Sequence, residues 1–295
     1  MSGAESCPPS LRCSGVTREY SNTPILRNKH ADKLLQYLRD NGAIGIDHGP
    51  IHIQATRFAP GEDESNHTDD KSESKIIHFQ RHGQGYHNLM YGVLSDAGAP
   101  VVDVYDPDPT KNPFVRPEMV DAPLTELGRE QCKAQRPVAS KLNPELLIAS
   151  PLHRALQTAQ ISFAGFRGKI PFIAHEDCRE ELGLLVCNKR RPLSETVQEY
   201  PSFDFSIMAE MAYEEDLLWD PENREPPAAQ AKRIYGFLTD FVRQRPEKEM
   251  AIVGHSAWLF CMCHSVLDCG QDDRLIAWFG TSEIRSMKLT FLDKT

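Results

Sequence analysis

Apolar positions in this chain gather into a few short runs, each stopped by a residue that breaks extended structure. Residues 75–80 (Lys-Ile-Ile-His-Phe-Gln), 146–149 (Leu-Leu-Ile-Ala), 170–173 (Ile-Pro-Phe-Ile) and 251–253 (Ala-Ile-Val) have the length and character of buried strands. Helical spacing takes over elsewhere. Residues 29–41 place Leu34, Leu35 and Leu38 on one side, and Asp40-Asn41-Gly42 supplies the stop. Leu124-Thr125-Glu126-Leu127-Gly128 opens a helix predicted to run through about Leu142, with Thr125 as N-cap and Glu126 in the first turn. A Ser150-Pro151 start predicts another. Residues 228–245 carry Ile234, Phe237, Leu238, Phe241 and Val242 on one face, and the apolar stretch 257–267 reads as a core helix.

Punctuation divides the chain. Residues 1–74 read as an N-terminal extension whose last part, 61–74, is a polar, acidic, mobile linker without apolar anchors. Residues 75–295 then form the main domain. Within it, 96–119 is rich in Pro, Asp and Val and reads as a loop, while 176–227 reads as an insertion that shapes specificity.

With 295 residues and 40% hydrophobic content, the chain is long enough for one large α/β domain plus an extension. A net charge of −9 and a pI near 5.7 argue against nucleic acid as a partner. No stretch is apolar enough to span a membrane, and the N-terminus lacks the apolar core of a secretory signal, so a soluble intracellular protein is expected, cytoplasmic with the nucleus as a second compartment. The eight cysteines show no Cys-x-x-Cys pair and read as reduced, mostly buried thiols. Cys261-Met262-Cys263-His264 has metal-binding residue types but falls in the predicted core helix. His78, His82 and His87 offer no tetrahedral set. No metal or other cofactor is expected.

The chemistry concentrates where the strands end. Arg81-His82-Gly83 closes the first strand of the main domain, where α/β proteins usually place reacting groups. A guanidinium there can hold phosphate oxygens in bidentate fashion, and an imidazole can attack phosphorus and carry the phosphoryl group. The same kind of position recurs at Ser150-Pro151-Leu152-His153-Arg154, at Gly254-His255-Ser256 and, after residues 170–173, at Glu180-Glu181.

Taken in order, these segments resemble the histidine phosphatase (phosphoglycerate mutase-like) superfamily, in particular the plant and fungal phosphoglycerate mutase-like proteins. The matching segments include Arg81-His82-Gly83-Gln84-Gly85-Tyr86-His87-Asn88, Asp121-Ala122-Pro123-Leu124-Thr125-Glu126-Leu127-Gly128, residues 150–159, Cys178-Arg179-Glu180-Glu181-Leu182-Gly183, Cys187-Asn188-Lys189-Arg190-Arg191 and the Gly254-His255-Ser256 turn. The resemblance covers the chain from about Lys75 onward. It implies a three-layer α/β/α fold with a mostly parallel central sheet. It also implies that His82 is the nucleophile, that Arg81, Arg154 and His255 surround the phosphoryl oxygens, and that Glu180 is the proton donor, with Glu181 next in line. Asn88 would donate to phosphate, and Gly83, Gln84 and His87 on the same loop are assigned with it to phosphate or substrate binding. The acid-phosphatase branch carries aspartate after its second histidine; Ser256 stands here, which implies the other branch. Gly85 and His87 replace residues more common in the superfamily. Lys189-Arg190-Arg191 reads either as a contact for a second anionic group or as a solvated charge cluster. The activity implied is metal-independent phosphatase action on a small phosphorylated metabolite through a phosphohistidine. The alternatives are a phosphoglycerate-type mutase and a non-catalytic phosphate-binding or scaffold protein.

Overall fold

A computed structural model describes residues 24–59, 73–98, 102–211 and 214–294. Its seven strands are β1 (Ile51–Arg57), β2 (Glu73–Arg81), β3 (Leu146–Ala149), β4 (Phe172–Ala174), β5 (Glu249–Gly254), β6 (Leu267–Asp268) and β7 (Ile284–Asp293). They form one sheet in the order β4-β3-β5-β2-β7-β1-β6. Only β7 runs antiparallel to its neighbours, β2 and β1; the remaining pairings are parallel. The mostly parallel α/β sheet is therefore as expected.

Period-two alternation along the central strands divides the core into two. Leu146 and Ile148 of β3 and Met250 and Ile252 of β5 face a cluster containing Ala231, Ile234, Leu238, Trp258 and Leu259. Their neighbours Leu147, Ala149, Ala251 and Val253 face Ala155, Leu156 and Ala159 of the helix His153–Ser162. Strands covered on both sides must be apolar at every position, which is why they stand out in the sequence. Helices on both faces make the three layers.

Residues 24–57 belong to this core, although the sequence reads them as lying ahead of the domain. β1 pairs with β7 from Ile51 opposite Asp293 to Arg57 opposite Met287. Leu38, in the helix Pro24–Asp40, and Ile53 and Ala55 of β1 are buried in the same cluster as β2 and β5. Of the predicted acidic linker, residues 61–72 lie outside the described residues. Glu73 and Ser74 are not linker: they begin β2, opposite Phe291 and Thr290.

Other boundaries moved for identifiable reasons. The helix expected from Leu124 to Leu142 stops at Ala134 and resumes only for Arg136–Ala139, because Pro137 lacks the N–H that a continuous helix needs. Thr125 does cap it, accepting from the Gly128 N–H at 3.0 Å. The predicted helix over 228–245 is α-helical at Pro227–Gly236 and widens into a π-turn at Phe237–Val242; the one over 257–267 does the same after Cys261. Cys261 and Cys263 are buried in the core, and His264 stacks on Phe260 with centroids 3.9 Å apart. The helix Tyr86–Asp96 was not anticipated. Among the described residues no helix is long and apolar enough to cross a membrane.

If β1 is part of the folding unit, Ile53→Ala, at a position 1% exposed, should cost about 2–4 kcal/mol. Urea unfolding would measure this as a lower midpoint at unchanged slope.

Candidate active site

Parallel pairing brings the reacting groups together. β2 and β5 are adjacent with Arg81 opposite Gly254, so the next residues, His82 and His255, leave the sheet side by side. Their ring centroids are 5.1 Å apart, and the His82 N–H donates to the Gly254 carbonyl at 3.0 Å. Ser150 follows β3 and lies 2.7 Å, through Oγ, from His255 Nε2. Arg154 follows in the first turn of the helix His153–Ser162. His87, near the start of the helix Tyr86–Asp96, adds a third ring 5.4 Å from that of His82.

The tautomer of His82 is fixed by what it touches. Nδ1 lies 2.6 Å from the carbonyl oxygen of Gly83, which can only accept, so Nδ1 carries the proton and Nε2 keeps its lone pair. Burial, reinforced by the positive charges of Arg154 and Arg81, holds the His82 imidazole well below its ordinary pKa. His87 and His255 are depressed in the same direction, again chiefly by burial and then by Arg154. A neutral imidazole in a cationic surround results.

Arg154 is 1% exposed, and its guanidinium donates to the Cys187 carbonyl at 2.7 Å and to Asn188 Oδ1 at 2.9 Å. Both acceptors are neutral. Among the described residues no carboxylate lies within ion-pair distance of it, and its Nε is buried without a partner. Arg81 donates to the Phe279 carbonyl at 2.9 Å, with its guanidinium carbon 5.6 Å from the centre of the Trp278 ring.

Gly83 and Gln84 tie the loop to neighbouring elements. The Gly83 N–H donates to Thr158 Oγ1 at 3.0 Å, and Thr158 in turn donates to the Arg154 carbonyl at 2.7 Å, which ties the nucleophile loop to the arginine helix. A Cβ at position 83 would lie 2.6 Å from the Gly128 carbonyl oxygen, so only glycine fits. The Gln84 N–H donates to Gln131, and its Oε1 accepts from Thr125 at 2.8 Å. Asn88 Oδ1 accepts from the Gly85 N–H at 3.0 Å, leaving its NH2 as the group that can donate to an anion.

Arg190 and Arg191 are the clearest correction. Neither is a free anion contact, because their charges are already neutralised. Arg190 is 2% exposed and pairs through Nε with Glu176 at 2.9 Å. Arg191 pairs with Asp121 at 3.3 Å and Glu199 at 2.8 Å. Arg190 belongs to a buried network in which Arg179 bonds Glu176 at 3.0 Å, both oxygens of Asp216, and the Asn188 carbonyl at 2.7 Å. That network fixes Asn188, and Asn188 fixes Arg154.

The two glutamates part company. Glu180 sits at the start of the helix Ser256–Cys261 and accepts from the N–H groups of Ala257 at 3.1 Å and Trp258 at 2.9 Å, placing its carboxyl group beside the residues that follow His255. Glu181 turns away and pairs with Arg224, which itself lies 4.8 Å over the Tyr105 ring. Burial pushes the Glu181 carboxyl up to about 7, with Arg224 opposing. Ser150, Thr158, Asn188 and Asp121 support the site but were not assigned from sequence. The one visible hint was their position inside or next to the motifs.

An α/β sheet with imidazoles and arginines gathered at its strand ends has groups suited to an anion, and similarity narrows the class. The family model for the histidine phosphatase superfamily (branch 1) matches residues 116–287, a span that includes Arg154, Glu180 and His255 and begins after His82. Phosphoglycerate mutase-like protein 1 of Arabidopsis thaliana is 32% identical over 246 residues, covering 72% of this chain and 80% of the relative. Phosphomutase-like protein 3 of Candida albicans is 30% identical over 197 residues, covering 65% and 59%. A solved mycobacterial glucosyl-3-phosphoglycerate phosphatase superposes with a TM-score of 0.43 at 20% identity, covering 72% of this chain and 90% of that one. The chain belongs to the histidine phosphatase superfamily, and to the branch that Ser256 implied.

Glu181 offers a check on the electrostatics. Its folded pKa lies above the ordinary 4.5, so between about 4.5 and 7 the folded state holds a proton that the unfolded chain has released. Stability should therefore fall as pH rises through that window, by about 3 kcal/mol. In Glu181→Gln that component of the decline should be missing when denaturation is compared across the same pH range.

Proposed function

We propose that this chain is a metal-independent phosphatase that hydrolyses a small phosphorylated metabolite through a phosphohistidine on His82. The observation that carries the reading is the anchored Nδ1 of His82, which leaves Nε2 as an unprotonated nucleophile among Arg81, Arg154 and His255.

In the first step Nε2 attacks phosphorus, the bond from phosphorus to the leaving oxygen breaks, and the protonated carboxyl of Glu180 gives its proton to that oxygen. Arg81, Arg154, His255 and the Asn88 amide stabilise the charge on the non-bridging oxygens. In the second step water attacks phosphorus, the P–N bond breaks, Nε2 recovers its lone pair and Glu180 takes the water proton. Fixed guanidinium groups supply the charge neutralisation that Mg²⁺ supplies in other phosphoryl-transfer sites. A mutase would differ in passing the phosphoryl group to a substrate hydroxyl instead of water.

The test is release of inorganic phosphate by the purified protein, with chelator present, from sugar phosphates, phosphoglycerates, nucleotides and aryl phosphates. Selective, chelator-resistant turnover is expected, and His82→Ala should abolish it while the protein stays folded. Unchanged turnover in a folded His82→Ala protein would refute the assignment. Glu180→Gln should slow alkyl phosphates far more than aryl phosphates, whose leaving groups need no proton; equal slowing would point to another acid.

A further inference from the structure

His87 is the one imidazole of the site with no fixed partner. His82 commits Nδ1 to the Gly83 carbonyl, and His255 commits Nε2 to Ser150. Neither ring nitrogen of His87 hydrogen-bonds to any described residue, and its Nδ1 is buried. Burying such a nitrogen unsatisfied costs about 1–3 kcal/mol, a cost that an apolar ring filling the same space would avoid.

The backbone is shaped around this ring. A Cβ on Gly85 would stand 2.7 Å from both Cε1 and Nδ1 of His87, closer than real contacts allow. Gly85 has an extended backbone, with φ −90° and ψ 166°, that any residue can adopt. Conformational freedom is therefore not the reason for glycine here. Glycine at 85 makes room for imidazole at 87.

We propose that His87 is a proton-loaded receptor for the phosphoryl group, neutral in the empty site and protonated from solvent when a dianion enters, so that both ring nitrogens become donors. The inference rests on the phosphate-binding reading of this site. The groups that bear on His87 are Arg81 and His82 from the end of β2, Arg154 from the helix His153–Ser162, and His255 after β5. In the empty site burial and the two arginines disfavour its charge. An entering dianion offsets the two arginine charges and favours the imidazolium.

Sulfate is a suitable probe, because it stays a dianion throughout the neutral range and any proton taken up must go to the protein. Its affinity, measured by calorimetry between pH 6 and 8.5, should fall with rising pH by up to about tenfold per unit for each proton taken up. His87→Gln keeps a hydrogen-bonding side chain but cannot be protonated, and should remove about one proton from that dependence. Gly85→Ala, which keeps the imidazole but displaces it, should flatten the dependence as well. Wild-type pH dependence in His87→Gln, with sulfate still bound, would overturn the proposal and leave the anion site standing. Failure of the wild-type protein to bind either sulfate or inorganic phosphate would overturn both readings.

Discussion

The structure turns on a buried cation held by neutral groups. Arg154 is almost wholly removed from water, yet its acceptors are a carbonyl and an amide oxygen. Burying a charge without a counter-charge is costly. A protein that retains such an arrangement keeps a site whose electrostatic deficit an anion would fill. The rest of the molecule can be understood as what holds that guanidinium in place. The Arg179, Glu176, Asp216 and Arg190 network anchors Asn188 behind it. Asp121 accepts from the His153 N–H at 2.7 Å and so caps the helix that carries it. Charges in these supports are paired with one another, and the unpaired one acts on His82 and His255.

The same field sets the protonation of the imidazoles. Burial and Arg154 act together on His82, His87 and His255, each held neutral. For His82 this keeps the Nε2 lone pair that the proposed attack needs. The parallel register of β2 and β5 also holds the two rings side by side without a ligand, the preorganisation that the proposed reaction would use.

How much of this was legible in the sequence depended on how each element is buried. Strands β3 and β5, covered on both faces, are unbroken apolar runs and were visible. β1 and β7 alternate, with Ile51, Ile53 and Ala55 or Met287, Leu289 and Phe291 buried and the residues between them more exposed. A search for apolar runs passes over such strands, and the N-terminal segment was therefore read as an extension. The candidate site residues stand out because each directly follows or lies near a strand end. The pairing of Arg190 and Arg191 was not legible, since their carboxylates, Glu176 for Arg190 and Asp121 and Glu199 for Arg191, are brought to them only by the fold. A basic run looks the same in sequence whether its charges are free or neutralised. The bonds of Gly83 and Gln84 were not legible either, because their partners Thr158, Gln131 and Thr125 come from other elements.

The central claim is that phosphorus becomes bonded to His82, and the direct measurement is to trap that bond. Protein mixed with a ³²P-labelled aryl phosphate, quenched within milliseconds in alkali and digested, should yield label that is stable to base and lost in acid, carried by the peptide that contains His82. Label on any other residue, or turnover with no labelled protein at any quench time, would contradict the account.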